Sequence, residues 1–250
     1  MRSDLFSPSH AEVQPGHSGL SLQNSKMLKV ALDGEVFARR GAMVAYQGQI
    51  NFEGLGAGGI GNFLKQHLTG EGIPLMRAQG RGDLFLADYA ADVFLLDLEP
   101  GDGLTINGSN VLAFESTLKW DIHMVQGAGM LSTSGLFNCL FTGHGRIAIT
   151  CKGTPVVLNV DQQTYADPQA AVCWSASLTT GFHRAEQLGI GALFGRTSGE
   201  AYTMSFNGQG FVVVQPSEEP PGSMVSGTGA GEQTGVGGAG GLLGGLLGGR

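Results

Sequence analysis

The feature that most constrains this chain is a pattern that it states three times. The run GRGDLFL at 80–86 returns as GHGRIAI at 143–149 and as GQGFVVV at 208–214, at intervals of 63 and 65 residues. Each copy is Gly-x-Gly-x followed by a strand-like run. Self-similarity at a fixed period means one supersecondary unit used repeatedly, and such a unit cannot bury both faces of its strands alone.

A second block keeps the same phase. FARRGAMVAYQGQI (37–50), TINGSNVLAFESTL (105–118) and YADPQAAVCWSASL (165–178) align without gaps. Val44 coincides with Leu112 and Val172, Tyr46 with Phe114 and Trp174, and Ile50 with Leu118 and Leu178. These positions are even steps apart, so each set shares one strand face, and the aromatic trio is expected to be at least partly buried. Arg40-Gly41, Asn107-Gly108 and Asp167-Pro168 mark a turn before each strand. A third block, LKVALDGEVF (28–37), VFLLDLEPGDGLT (93–105) and PVVLNVDQQTY (155–165), reads as strand, polar turn, strand. The expected fold class is all-β: three repeated β-sandwich-like units about a pseudo-threefold axis, approximately residues 28–90, 91–153 and 154–216. They make one β domain, 26–216, between an N-terminal extension (1–25) and a tail (217–250). The one helix expected is short, IGNFLKQHL at 60–68, with Ile60, Phe63 and Leu64 on one side.

Composition narrows the function classes. The net charge is −7 and the 14 Lys and Arg residues form no run beyond Arg39-Arg40. A nucleic-acid partner needs a basic face, so none is expected. The three cysteines, Cys139, Cys151 and Cys173, are odd in number and form no C-x-x-C, which speaks against a disulfide framework and a thiolate zinc site. Six histidines form no H-x-H or H-E-x-x-H, so no metal residues are assigned; His123 and His183 are the best placed. No G-x-S-x-G is present, and no catalytic residues are assigned. GLGAGG at 54–59 fits the dinucleotide fingerprint, but no βαβ unit surrounds it, so no cofactor is expected. Arg81-Gly82-Asp83 spells an adhesion tripeptide. Its copies are His144-Gly145-Arg146 and Gln209-Gly210-Phe211, so only the glycines are held constant, as a turn with positive φ requires. The stretch MRSDLFSPSHAEVQ has no apolar run of the secretory kind, and a cytoplasmic location is expected.

Taken in order, RRGAMVAYQGQINFE, FLKQHLTGEG, GRGDLFLA, LFTGHGRIAI and GQGFVVVQPS resemble the AIM24 family, also known as the DUF124 proteins, over about residues 28–216. The resemblance implies a TRAP-like β fold of three units about a pseudo-threefold axis. It implies no activity, cofactor or catalytic set. Mitochondrial members are associated with inner-membrane organisation, a role tied to a transit peptide that this N-terminus does not show. The fold name is shared with RNA-binding rings, yet fold does not carry function.

The tail from Pro216 is glycine-rich and low in complexity. Within it Leu242, Leu243, Leu246 and Leu247 recur at a four-residue interval, so they are the candidate contacts for a partner or a membrane surface. The function expected is therefore a non-enzymatic scaffold or binding protein, oligomeric and membrane-peripheral, whose partner is an unidentified protein or another copy. The alternative is a small-ligand-binding or enzymatic module with a pocket between β repeats.

Overall fold

The computed structural model describes residues 3–14, 16, 18–55, 73–124, 137–184 and 202–217. These residues are almost all strand. Their only helical elements are three-residue 3-10 turns at Asp4–Phe6, Pro8–His10 and Gly108–Asn110. The helix expected at 60–68 lies outside the described residues.

The second unit contains six strands: β5 (Asp92–Leu98), β6 (Gly103–Asn107), β7 (Val111–Glu115), β8 (Leu118–Met124), β9 (Phe137–Gly143) and β10 (Gly145–Cys151). Here β10 pairs with β5 and β7, and β9 pairs with β6 and β8, all antiparallel. The third unit repeats this with β11 (Val156–Val160), β12 (Thr164–Ala166), β13 (Ala171–Ser175), β14 (Thr179–Arg184), β15 (Tyr202–Asn207) and β16 (Gly210–Val214). Again β16 pairs with β11 and β13, and β15 with β12 and β14.

The first unit makes the same pairings with its strands fused. β2 (Met27–Arg39), β3 (Met43–Gly54) and β4 (Leu75–Leu86) each run unbroken, β4 lying between the other two. A further strand, β1 (Gly19–Asn24), pairs with the first half of β2. Two expected turns are absent here as a result. Asp33-Gly34 stays inside β2, where Gly34 at φ +128° faces Gly80. Arg81-Gly82-Asp83 lies in the middle of β4 rather than on a loop. Its glycines do have positive φ, +143° at Gly80 and +150° at Gly82. They also admit a close neighbour: a Cβ on either would stand 2.0 Å from a β3 carbonyl, that of Gln49 or Gln47.

Three apolar clusters follow the chain. One is centred on β2 and β4 with Leu28, Val30, Leu84 and Leu86. The central one joins Phe37 and Leu75 to Phe114, Phe141 and Ile147. The last gathers Trp174, Met204, Phe206 and Val212. Alternation along the strands puts these side chains on the inner faces.

Candidate functional site

The units are joined edge to edge. The second half of β2 pairs with β7, with Val36 opposite Glu115, Phe37 opposite Phe114 and Ala38 opposite Ala113. One unit further on, β6 pairs with β13, with Leu104 opposite Ser175, Thr105 opposite Trp174 and Ile106 opposite Cys173. In the gapless alignment these are the same positions, so one joint is built twice. It makes one sheet of β3-β4-β2 and β7-β10-β5, and another of β11-β16-β13 and β6-β9-β8.

A side-chain clasp closes each joint. Arg39, at the end of β2, donates from Nε and Nη2 to the Val111 carbonyl at 3.0 and 2.9 Å and from Nη2 to that of Gly108 at 3.3 Å, with Ser109 also accepting. Asn107 stands at the equivalent position. Its Nδ2 donates to the carbonyls of Pro168 at 3.1 Å and Ala171 at 3.3 Å, and its Oδ1 accepts the Ser109 amide. Stacking supports the first joint, with Phe37 and Phe114 ring centres 5.2 Å apart. These two clasp residues were missed in the sequence, although both occupy the aligned position just before each turn.

Among the described residues the third equivalent pair of edges is open. β12 pairs only with β15, and β3 only with β4, among the described residues. Exposure records the consequence. Phe114 and Trp174 are buried, at 0 and 3%, whereas Tyr46 is 47% exposed, still within the partial burial expected of the trio, and among the described residues no further strand pairs beside it. Val44 is 52% exposed where Leu112 and Val172 are buried. Tyr165 on β12, the counterpart of the buried Phe37, is 52% exposed. Asp167 takes the clasp position, and its Oδ1 accepts the amides of Gln169 and Ala170 in its own turn.

Other chemistry is dispersed. All three thiols are buried, and burial pushes Cys139 and Cys173 up to about 12 and Cys151 to about 11, which makes them poor nucleophiles. His10 sits in the 3-10 turn Pro8–His10, and His123 lies on β8 with Nε2 3.4 Å from Asp121. The backbone of His183 is in β14. No group of three or more His, Cys, Asp or Glu is placed to hold a metal among the described residues. A hollow of about 270 Å³ lies between β1, β2 and Glu115–Thr117; Asp33, Glu35 and Glu115 are its ionisable lining. Of GLGAGG, the structure describes Gly54, the last residue of β3, and Leu55, whose amide donates to the Leu75 carbonyl at 3.0 Å.

Asp83 of the RGD faces inward on a charge. Lys29 is 1% exposed, and its Nζ lies 2.6 Å from Glu12, 2.9 Å from the Val13 carbonyl and 3.4 Å from Asp83. Burial by itself would lower the Lys29 pKa, but the Glu12 hydrogen bond and the two carboxylates outweigh it and hold it above the ordinary value. The residue flanking Gly82 is therefore not free to vary, as the sequence suggested, because it neutralises a buried ammonium. Arg81, by contrast, is exposed and pairs at 3.0 Å with Asp33.

Leu242, Leu243, Leu246 and Leu247 lie outside the described residues. No helix among the described residues is long and apolar enough to cross a membrane.

Comparison with known proteins adds two findings. The family described as "Mitochondrial biogenesis AIM24" matches residues 20–217. The crystal structure of protein SPYM3_0169 from Streptococcus pyogenes is similar with a TM-score of 0.61 at 19% identity, over 80% of this chain and 92% of that one. No curated protein matches.

Proposed function

The chain belongs to the AIM24 family, and on that premise we propose that it is a non-enzymatic scaffold or binding protein of the cytoplasm, acting at the membrane periphery. In this reading its three units lie about a pseudo-threefold axis in a TRAP-like arrangement. The observation that carries the reading is β3. Met43, Val44, Tyr46 and Phe52 are large exposed apolar side chains on a strand whose single charged residue is Glu53. Long, flat, apolar edge strands are association sites, and proteins that avoid association blunt them with charge or proline.

The test compares purified full chain with two variants, Val44→Lys and a quadruple change of Leu242, Leu243, Leu246 and Leu247 to Ser. Proteins and lipid vesicles retained by the wild type should be released by the first variant if the edge binds, and by the second if the tail does. A small substrate turned over equally by all three, with nothing retained by any, would replace the scaffold reading with an enzymatic one.

A further inference from the structure

We infer that the face of β1, β2 and β4 around Lys29 is a binding site for a peptide that carries a glutamate, and that residues 11–13 of the chain's own N-terminal stretch occupy it in place of that ligand. This goes beyond the reading of β3 and does not depend on it.

The site is built from three strands. Lys29 of β2 stands opposite Phe85 of β4, and Ala31 opposite Asp83, so Lys29, Phe85 and Asp83 share one face of the sheet. The Lys29 ammonium lies 5.8 Å from the centre of the Phe85 ring and 3.4 Å from Asp83. Gln23 comes from β1. Across these residues lies a short piece of chain that leaves the Pro8–His10 turn at Ala11 with φ −67° and ψ 154°, an extended conformation. The Gln23 amide spans it: its Nε2 donates to the Ala11 carbonyl at 3.0 Å and its Oε1 accepts the Val13 amide at 2.9 Å. Lys29 donates to Glu12 at 2.6 Å and to the Val13 carbonyl at 2.9 Å.

These contacts have the logic of peptide recognition. Three of the four groups read are main-chain atoms, which any peptide presents. The fourth is a carboxylate, which a buried ammonium selects because charge taken out of water needs an opposite charge beside it. The seated stretch adds little of its own. No described residue of 3–14 is buried, and Leu5 and Phe6, its large apolar side chains, are 66 and 63% exposed. A segment held by polar contacts alone, without buried apolar area, opens at low cost. Lys29 is 1% exposed beneath it and keeps Asp83 as a partner when the segment lifts. The lifted state therefore retains its charge pair and offers Gln23 and Lys29 to a second peptide of the same kind.

The experiment titrates purified full chain with a fluorescent peptide of residues 8–15, PSHAEVQP, and reads anisotropy. Glu12→Ala with Val13→Pro removes the internal carboxylate and the amide that Gln23 accepts. This variant should keep the wild-type thermal midpoint within a few degrees and bind the peptide at least about tenfold more tightly than wild type, because the internal segment no longer competes. Adding Gln23→Ala to it should weaken binding about fivefold. A peptide with glutamine in place of its glutamate should bind at least about tenfold more weakly, the worth of a hydrogen bond between charged groups. The wild type gives a reading that needs no variant to fold: millimolar peptide should speed hydrogen exchange of the Val13 amide as Gln23 changes partner. Exchange at Val13 unaltered by peptide overturns the proposal, as does an opened variant that folds and binds no peptide. Equal binding of the glutamate and glutamine peptides overturns it too. Free glutamate that releases Val13 as well as the peptide does would mean that the site reads a carboxylate alone, and the peptide assignment would fall.

Discussion

Asp83 shows how far residue-level reading reaches. The triplicated pattern rightly removed the adhesion meaning from Arg81-Gly82-Asp83, since the stretch is strand interior. It could not reveal that Asp83 faces a lysine 54 positions earlier in the chain, because ion pairing across β2 and β4 depends on register. Asp83→Glu should cost under about 1 kcal/mol, because Glu12 keeps the ammonium paired. Glu12→Gln with Asp83→Asn should cost about 3 kcal/mol in urea unfolding, because the charge of Lys29 is then left buried with only a carbonyl. The Lys29 pKa is raised on folding, so this contribution is complete below the ordinary lysine value of about 10.4 and fades as pH rises through the higher folded value. The thiols act in the same direction and earlier. Each is about 11 to 12 when folded against about 8.5 unfolded. Their contribution is intact below about pH 8.5, and between there and about pH 11 each removes about 1.4 kcal/mol of stability per pH unit. Unfolding free energies measured at pH 8, 9 and 10 should fall steadily, and a flat profile would mean that the thiols are accessible.

At the level of elements, strand periodicity gave the pairing blocks but not their continuity. The turn expected at Asp33-Gly34 is a through-going strand, as is the stretch at Gly80-Arg81-Gly82. A glycine of positive φ serves a bend or a close approach of two backbones equally well, and local sequence does not distinguish them. Comparison of two glycines separates strain from space. Gly41 has φ +84° and open space where a Cβ would go; Gly82 has φ +150° and the Gln47 carbonyl 2.0 Å away. Gly41→Ala should cost about 1 kcal/mol from conformation alone. Gly82→Ala should cost at least about 2 kcal/mol, since β3 and β4 must also move apart, and equal losses would remove the close-approach argument. The joints allow a similar check. Arg39→Met leaves the carbonyls of Gly108, Ser109 and Val111 without its fork, a loss of about 1–3 kcal/mol. Arg39→Lys should recover only part of it, because an ammonium lacks the planar set of donors.

Across the whole molecule, the all-β character was legible in the sequence and the joining of its strands into sheets was not. Repetition reveals equivalent edges but does not say whether the last one returns to the first. In the folded chain the ladders from first to second and second to third unit carry two sheets over unit boundaries, while β12-β15-β14 forms a sheet with no ladder to another unit among the described residues. Stability should be distributed accordingly. Trp120 belongs with the central cluster and Trp174 with the last one, so single-tryptophan variants report on both regions. Their midpoints in denaturant should coincide with each other and with far-ultraviolet dichroism, because β6 and β13 tie the second and third units into one sheet. Native-state hydrogen exchange should be less uniform. Amides of β12, β15 and β14 should exchange through a smaller opening free energy than those of β13, β6 and β9, since sub-global opening begins where the fewest ladders must break. Uniform protection across both sheets would show instead that the third unit is held by a joint as complete as the other two.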